Sequence, residues 1–522
     1  MLKKKQKTED KKRNNIQSIL SKYKIDIPKT TPQIMRAFFK DYHEPSGIMK
    51  LDDEHYSVVF EYQDISFAKA NEEEQINIFL RWVDYLHSFN YENHIQVIHA
   101  AKPVKTEDYK QQYIYKSENL EGNKLKTAKE FNSFIESSLG DREKVLCETR
   151  QIAISIKAEN FKEAQDIFMQ YQLKTEEKFK ELKSKIRRVN INERLEFLYD
   201  IFNYNLLKNS NITNIIEYAK ENNLSVYDVI APKEEVSFKE KNYIKIGINK
   251  YIRVMYVSKL STSITPCFYN RLTTIQDGNV IVTLNITPKD SGKVQRMIDK
   301  KISGMKTERL EKVKRAIKNN YNYEVAKDEK LEDNIENAKE LRDALYKKKQ
   351  KLFANNILIC IQAESLAELE EITKKVQSIG NEFLITIYNL DWQQLEGLQN
   401  TLPFAWNTIQ FQRSLTSEAT VANVPFNTKD LMQPNSIYYG INLISKNPVF
   451  IDRKKLLNGN GCYLATSGAG KSFMVKSDIE QVLLRYPEDE IIVIDPQRRI
   501  QGFNGCFWRT NNKDYNNRRY LH

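Results

Sequence analysis

The chain has 522 residues, 40% of them hydrophobic and 29% charged, and 81 Lys and Arg against 69 Asp and Glu leave a formal charge of +12. That apolar content excludes a disordered chain and suffices for three or four cores, while charge spread this evenly reads as a solvated surface ahead of a nucleic-acid or membrane patch. Five cysteines, Cys147, Cys267, Cys360, Cys462 and Cys506, lie far apart and are odd in number, which excludes a disulfide framework and a CxxC metal clip. No apolar run reaches the roughly 18 residues of a membrane span and no signal-like segment opens the chain, so a cytoplasmic protein, free or docked on a membrane complex, is expected.

Residues 1–30 form a basic extension, with Lys3, Lys4, Lys5, Lys11, Lys12 and Arg13. From Ile48 the pattern becomes strand-like, and His55 to Tyr62 is rich in β-branched and aromatic residues. A helix over about Asn71 to Phe89 carries Ile76, Phe79, Leu80, Val83 and Leu86 on one face, and Ile95 to His99 is the returning strand. His94 and His99 lack ligand spacing and read as satisfied surface histidines. Residues 101–124 read as a loop or edge hairpin and Glu130 to Ser138 as a helix. Arg150 to Lys157 alternates as a strand, and amphipathic helices follow over Asn160 to Ile186 and Glu193 to Leu207.

Tyr243 to Tyr256 and Asn279 to Ile286 alternate as strands about a Ser- and Thr-rich turn region. Residues 290–350, dense in Lys, Glu and Asp, predict a solvent-exposed helical hairpin, with a contact arm for a partner or for DNA as the alternative. A compact β-α-β piece follows: a strand over Asn356 to Gln362, a helix capped by Ser365 and ended by Gly380, and an exit strand over Phe383 to Leu390. Asp391 to Pro403 has helical spacing, and Pro403, Pro425 and Pro434 mark a boundary within 415–435.

Beyond that boundary stands the stretch with the most chemical content. Gly461 to Ala465 reads as a strand, Thr466 to Ser472 as a glycine-bearing loop, Ser472 to Tyr486 as a helix and Ile491 to Asp495 as a second strand. Gly468 and Gly470 permit dihedrals that let backbone N–H groups of Gly468 to Ser472 converge on an anion, and the helix dipole adds to that field. Lys471 would reach the outer phosphates of a nucleotide, and the Ser472 hydroxyl would join the shell of a Mg2+ ion. The candidate binding residues are Thr466, Ser467, Gly468, Ala469, Gly470, Lys471, Ser472 and Phe473, with ATP and Mg2+ as cofactors. Ala465 stands where the G-x-x-x-x-G-K-[ST] pattern has its first glycine, a substitution that removes no phosphate donor. Phe473, Met474, Val475, Ile479, Val482 and Leu483 recur at helical spacing and are expected to pack on a sheet.

Tyr438-Tyr-Gly-Ile-Asn442, Lys446 to Phe450, Asp452-Arg453, Asn458 to Gly461, Ser467 to Ser472 and Ile491 to Pro496 together resemble the conjugal-transfer ATPases of type IV secretion systems, the VirB-four or TraE/TraC type of low-GC Gram-positive mobile elements. The resemblance implies an α/β fold: an α+β N-terminal domain over 31–430, in lobes of about 31–210 and 211–430, followed by the start of a RecA-like P-loop NTPase domain over 431–496. It implies a peripheral protein at the inner face of the cell membrane, a hexamer or related homo-oligomer. Its partners would be inner-membrane channel subunits and a coupling protein, and ATP would energise channel assembly or DNA transfer. Lys471 would be the phosphate lysine and Ser472 the Mg2+ hydroxyl.

Family members continue after the Asp-Pro pair with an acidic and then an aromatic residue, whereas Pro496 here precedes Gln497-Arg498-Arg499-Ile500. Residues 497–522 show neither helical nor strand period, so the expectation is an aberrant tail on an incomplete, hydrolysis-deficient motor domain. Asp495 is the candidate second Mg2+ ligand and catalytic carboxylate, although in RecA-like sheets that role falls on another strand. Two further readings stand beside this one: a small intact kinase- or GTPase-like P-loop enzyme with Asp495 as its metal ligand, and a nucleotide-independent scaffold.

Overall fold

In a computed structural model of the chain, residues 35–493 are described, apart from 66, 68–69, 106–111, 117–119, 139–143, 204–213, 261–266, 276–278, 320–327, 423–425, 427–430, 443–446, 457 and 467. The basic extension, Ser467, Asp495 and the tail expected at 497–522 therefore lie outside the described residues.

In chain order come β1 (Asp41–His43), β2 (Ile48–Lys50), β3 (His55–Tyr62), α1 (Glu72–His87), β4 (His94–Lys105), α2 (Gly122–Ser138), β5 (Lys144–Lys157), α3 (Phe161–Glu181), β6 (Ile186–Arg188), α4 (Ile191–Asn203), α5 (Ile215–Glu221) and α6 (Val226–Ile230). There follow β7 (Val236–Ser237), β8 (Ile244–Ile246), β9 (Lys250–Lys259), α7 (Cys267–Thr273), β10 (Asn279–Pro288), α8 (Ser291–Lys318), α9 (Glu329–Tyr346), β11 (Leu352–Ala363), α10 (Leu366–Glu382), β12 (Thr386–Asn389) and α11 (Gln394–Thr401). The last are β13 (Arg413–Thr416), α12 (Ser417–Val421), β14 (Ile437–Ile441), β15 (Pro448–Ile451) and α13 (Lys471–Arg485).

Thirteen strands form one sheet in the order β1-β2-β3-β5-β4-β10-β11-β9-β8-β7, with β6 on β3, β12 on β9 and β13 on β11. The order contains the same topology twice. In the first half β3 lies between β5 and β6 and is antiparallel to both, so β5, α3 and β6 make a split β-α-β unit. In the second half β9 lies likewise between β11 and β12, with α10 as the crossover. Each half is a β-α-β-β-α-β unit of ferredoxin-like order, preceded by a short antiparallel pair, β1-β2 in one and β7-β8 in the other. The halves meet where β4 adjoins β10.

Side-chain alternation sends each strand into two cores, one per sheet face. Tyr56, Val58 and Phe60 of β3 and Phe353, Ile357, Ile359 and Ile361 of β11 point to the face covered by α1, α3, α7 and α10. Val59, Leu358 and Cys360 point to the other, beneath α4, α5, α6 and α11. Helix starts follow side-chain chemistry: Asn71, Asn160, Asp290, Asp328 and Ser365 each accept a hydrogen bond from a first-turn N–H of their helix.

The chain separates into two units, Met1–Ala100 with Thr149–Phe426, and Ala101–Glu148 with Asn427–His522. The sequence boundary expected within 415–435 contains the second junction. The departure of 101–148 from the first unit was not foreseen, and the lobes expected at 31–210 and 211–430 are two halves of one continuous sheet. The α/β class holds in its general form, helices layered on a sheet, although every strand pair with a described register is antiparallel and the described residues contain no RecA-like parallel sheet. Among the described residues no helix is long and apolar enough to cross a membrane.

Several local expectations are corrected. Gly380 does not end its helix, which runs on to Glu382. It is glycine because a Cβ there would lie 2.8 Å from the Ile385 carbonyl oxygen and from Ile387 Cδ1. The Ser- and Thr-rich turn region holds a helix, α7, anchored by buried Phe268 and Leu272. His99 is buried, not superficial, with its Nε2 3.4 Å from the Tyr62 hydroxyl and its ring stacked on Tyr269. His94 is half-buried, and its Nδ1 lies 2.9 Å from the Thr287 hydroxyl.

Candidate functional site

The glycine loop belongs to the second unit, whose core joins Tyr113, Tyr115, Ala128 and Ile135 of the 101–148 segment to Tyr438 and Phe450. The rings of Tyr113 and Phe450 lie 4.8 Å apart between centroids, and those of Tyr438 and Phe450 5.4 Å. Aromatic residues carry this small core because each buries a large area for few ordered torsions.

α13 is seated on that core by one polar side chain. Gln481, 4% exposed, accepts hydrogen bonds at Oε1 from the Tyr115 hydroxyl (2.7 Å) and from the Tyr438 N–H (3.1 Å). One turn on, Arg485 donates to the Tyr113 carbonyl at 2.9 Å and lies over the Tyr115 ring at 4.4 Å. The packing face of α13 is therefore Gln481, Leu484 and Arg485. The apolar stripe expected to meet a sheet lies elsewhere: Phe473 is 74% exposed and Val475, Ile479, Val482 and Leu483 only half-buried. Besides the ends of β4 and β5 that fall in this unit and a Met432–Phe450 bridge, its described strands are β14 and β15, and the stripe is left exposed or half-buried.

A second cluster holds the segment leading into the loop. Asp478, one turn before Gln481, accepts from Arg453 Nη2 at 2.9 Å, from the Tyr439 hydroxyl at 3.2 Å and from the Tyr463 hydroxyl. The Arg453 guanidinium also lies over the Tyr439 and Tyr463 rings, 5.4 and 5.9 Å from their centroids. Burial, and then the Asp478 carboxylate, raise the pKa of both phenols, which keeps them protonated as donors. A Cβ at Gly461 would lie 3.3 Å from the Arg453 guanidinium, so this glycine lets the chain pass the arginine. Tyr439, Arg453 and Gly461 belong to the separate short stretches that carry the family resemblance, and Tyr463 lies two residues beyond Gly461. Asp478 and Gln481, which gather them, had no sequence signal beyond lying within the helix.

The loop itself adopts much of the expected backbone. Gly468 has φ +82° and Gly470 φ +81°, left-handed values that favour glycine. Gly470 caps α13 without a side-chain hydrogen bond, and the first helical bond runs from the Met474 N–H to the Gly470 carbonyl at 3.0 Å. The N–H groups of Lys471, Ser472 and Phe473 therefore head the helix with no intrahelical acceptor, at the positive end of its dipole. Lys471 is exposed and Ser472 half-buried, while nothing approaches within 4 Å of a Cβ at Gly468 or Gly470. Backbone donors, a lysine and a hydroxyl at one helix end fit a phosphate group.

Among the described residues the flanking strands of the predicted β-α-β unit are not formed. Gly461 to Ala465 is unpaired, with Leu464 93% exposed, and Ile491 to Val493 is unpaired, with Ile492 87% exposed. A strand exists only with a ladder partner, and neither segment has one among the described residues. Nor do those residues contain a group of three or more His, Cys, Asp or Glu side chains fit to hold a metal, and Asp495 lies outside them. Comparison with known protein families and with curated proteins finds no match for this chain.

Proposed function

We propose that the second unit binds the phosphates of a nucleoside triphosphate, ATP by preference, as the nucleotide module of a conjugal-transfer ATPase of the type IV secretion kind. The observation that carries this reading is the pair of left-handed glycines, Gly468 and Gly470, directly ahead of a 15-residue helix that begins with Lys471 and Ser472. In this reading the N–H groups at the head of α13 hold the β-phosphate, Lys471 neutralises the outer phosphates and Ser472 contributes to Mg2+. The protein then works as an oligomer at the cytoplasmic face of the membrane, beside channel subunits and a coupling protein, and the module takes the RecA-like form when its flanking strands find partners. Hydrolysis needs a carboxylate and a base besides the loop, so the chain alone is expected to bind nucleotide without turnover.

The experiment is titration of the full chain with a fluorescent ATP analogue and Mg2+, beside Lys471→Ala. Saturable binding that the substitution weakens by about tenfold or more supports the reading, since a charge-assisted contact of this kind contributes about 1.5–3 kcal/mol. Binding indifferent to Lys471 would remove it. The exposure of Leu464, Phe473 and Ile492 favours a second reading, in which this face is an interaction module that needs no nucleotide.

A further inference from the structure

The two halves of the large sheet carry an insertion at the same topological place, between the second and third strands of the β-α-β-β-α-β unit. In the first half that insertion is 106–143, which supplies Tyr113, Tyr115, Ala128 and Ile135 to the core of another unit. In the second half it is the α8–α9 hairpin. α8 and α9 bury Val294, Ile298, Ile302, Leu331 and Ile335 largely against each other, and their principal packing is mutual.

Their outward faces differ in sign. Opposite its packing side α8 presents Lys293, Arg296, Lys300, Lys314 and Lys318, all exposed, interrupted only by a Glu311–Arg315 pair at 3.7 Å. α9 presents Glu329, Asp333, Glu336, Glu340 and Asp343 at alternating spacings of four and three, one stripe on a helix. The ion pairs inside the hairpin, Arg309 with Glu332 and Lys312 with Asp328, bridge the two helices and leave these stripes outside. Lys300, Lys314 and Lys318 on one side and Glu329, Asp333 and Glu340 on the other form no ion pair among the described residues.

We propose that the α8–α9 hairpin is a self-association arm, in which the basic outer face of α8 in one copy of the chain docks on the acidic outer face of α9 in the next. The two surfaces lie on opposite sides of the hairpin, so the contact is head-to-tail: each copy offers one pole and accepts the other. At 28 residues α8 is about 42 Å long, enough to align several charge pairs at once. A polyanion such as DNA would engage the α8 stripe and leave the α9 stripe without a role, whereas a second copy uses both. This inference is independent of the nucleotide reading and survives the failure of that titration.

The test is sedimentation velocity of the full chain at about 0.1 M and about 1 M salt, where the Debye length falls from about 10 Å to about 3 Å. The wild type is expected to assemble at the lower salt and dissociate at the higher. Two charge-reversed proteins are then compared, one with Arg296→Glu, Lys300→Glu and Lys314→Glu, the other with Asp333→Lys, Glu336→Lys and Glu340→Lys. Each is expected to be monomeric alone, and an equimolar mixture to assemble, because the new acidic face of one meets the new basic face of the other. Should a reversed protein lose helical signal, the milder Lys300→Gln with Lys314→Gln is expected to weaken assembly by about fivefold or more, at roughly 0.5 kcal/mol for each exposed pair lost. A wild type that stays monomeric at low salt, reversed proteins that assemble like the wild type, or a mixture that stays monomeric would each overturn the proposal. So would binding of a labelled DNA duplex by protein that remains monomeric.

Discussion

β11 and the segments flanking the glycine loop are written in the same sequence language and end in opposite states. Ile357 to Ile361 within β11 and Ile491 to Val493 are both apolar runs rich in isoleucine, yet all twelve residues of β11 are buried while Ile492 is 87% exposed. β11 has β10 along one edge and β9 and β13 sharing the other. Ile491 to Val493 has no paired edge among the described residues. The difference teaches that an apolar run records a capacity to enter a sheet, and that strands distant in sequence decide whether it does.

The largest effect expected from this contrast is on stability. Ile359→Ala, at a fully buried site in β11, should cost about 3 kcal/mol. Leu464→Ala and Ile492→Ala should each change stability by less than about 0.5 kcal/mol. Urea unfolding of the three variants reads this directly. Comparable losses at Ile492 and Ile359 would mean that the loop flanks are packed in solution, and the contrast would fail.

Protonation sharpens the same comparison. Burial, and then the nearby His55 and Lys157, hold the His94 pKa down at about 4, and burial followed by Arg150 lowers that of His99. A histidine kept neutral in the fold but titrating near 6.5 when unfolded stabilises the protein fully above pH 6.5. That contribution is lost as the pH falls from 6.5 towards 4, where the unfolded chain binds a proton the folded chain refuses. The described part of the second unit contains no histidine. Thermal unfolding followed from pH 7 to pH 4 should thus show the first unit weakening, and His94→Gln should flatten its pH slope. A slope unchanged in that variant would assign the effect to other groups.

The smallest effects concern two glycines with open surroundings. Gly470→Ala forces a Cβ into φ +81° and should cost about 1 kcal/mol locally, read as a roughly fivefold weaker affinity for the ATP analogue. Gly304→Ala, in the interior of α8 with no atom near, should stabilise the hairpin by about 0.5–1 kcal/mol, read from its helical signal on heating. Equal responses at the two positions would mean that the loop does not hold its left-handed turn in solution.

Much of the first unit was legible residue by residue. His55 to Tyr62 announced β3 through its β-branched and aromatic content, Asn71 announced the start of α1, and the charge density of 290–350 announced the hairpin. The duplication was not legible, because the two halves share hydrogen-bond order and not residues: α1 has 16 residues where its counterpart α7 has 7. Gly380 misled because a glycine near a helix end ordinarily terminates it, whereas here it makes room for the returning chain at Ile385. At the candidate site the loop glycines were legible because φ near +80° leaves few residue choices. Asp478 and Gln481 were not, since a polar residue within an amphipathic helix looks the same whether it faces solvent or gathers three partners.

The sequence by itself determined the local conformations: where helices are capped, which runs favour extended backbone, and that Gly468 to Ser472 turns left-handed into a helix. These depend on dihedral preference and short-range hydrogen bonding, which neighbours along the chain control. Only the tertiary structure decided that one sheet unites both halves, that the connection between β4 and β5 builds a second core, and that the described loop flanks stay unpaired. Those outcomes depend on which distant edges meet, and a strand's own residues cannot specify a partner that must be supplied from hundreds of positions away.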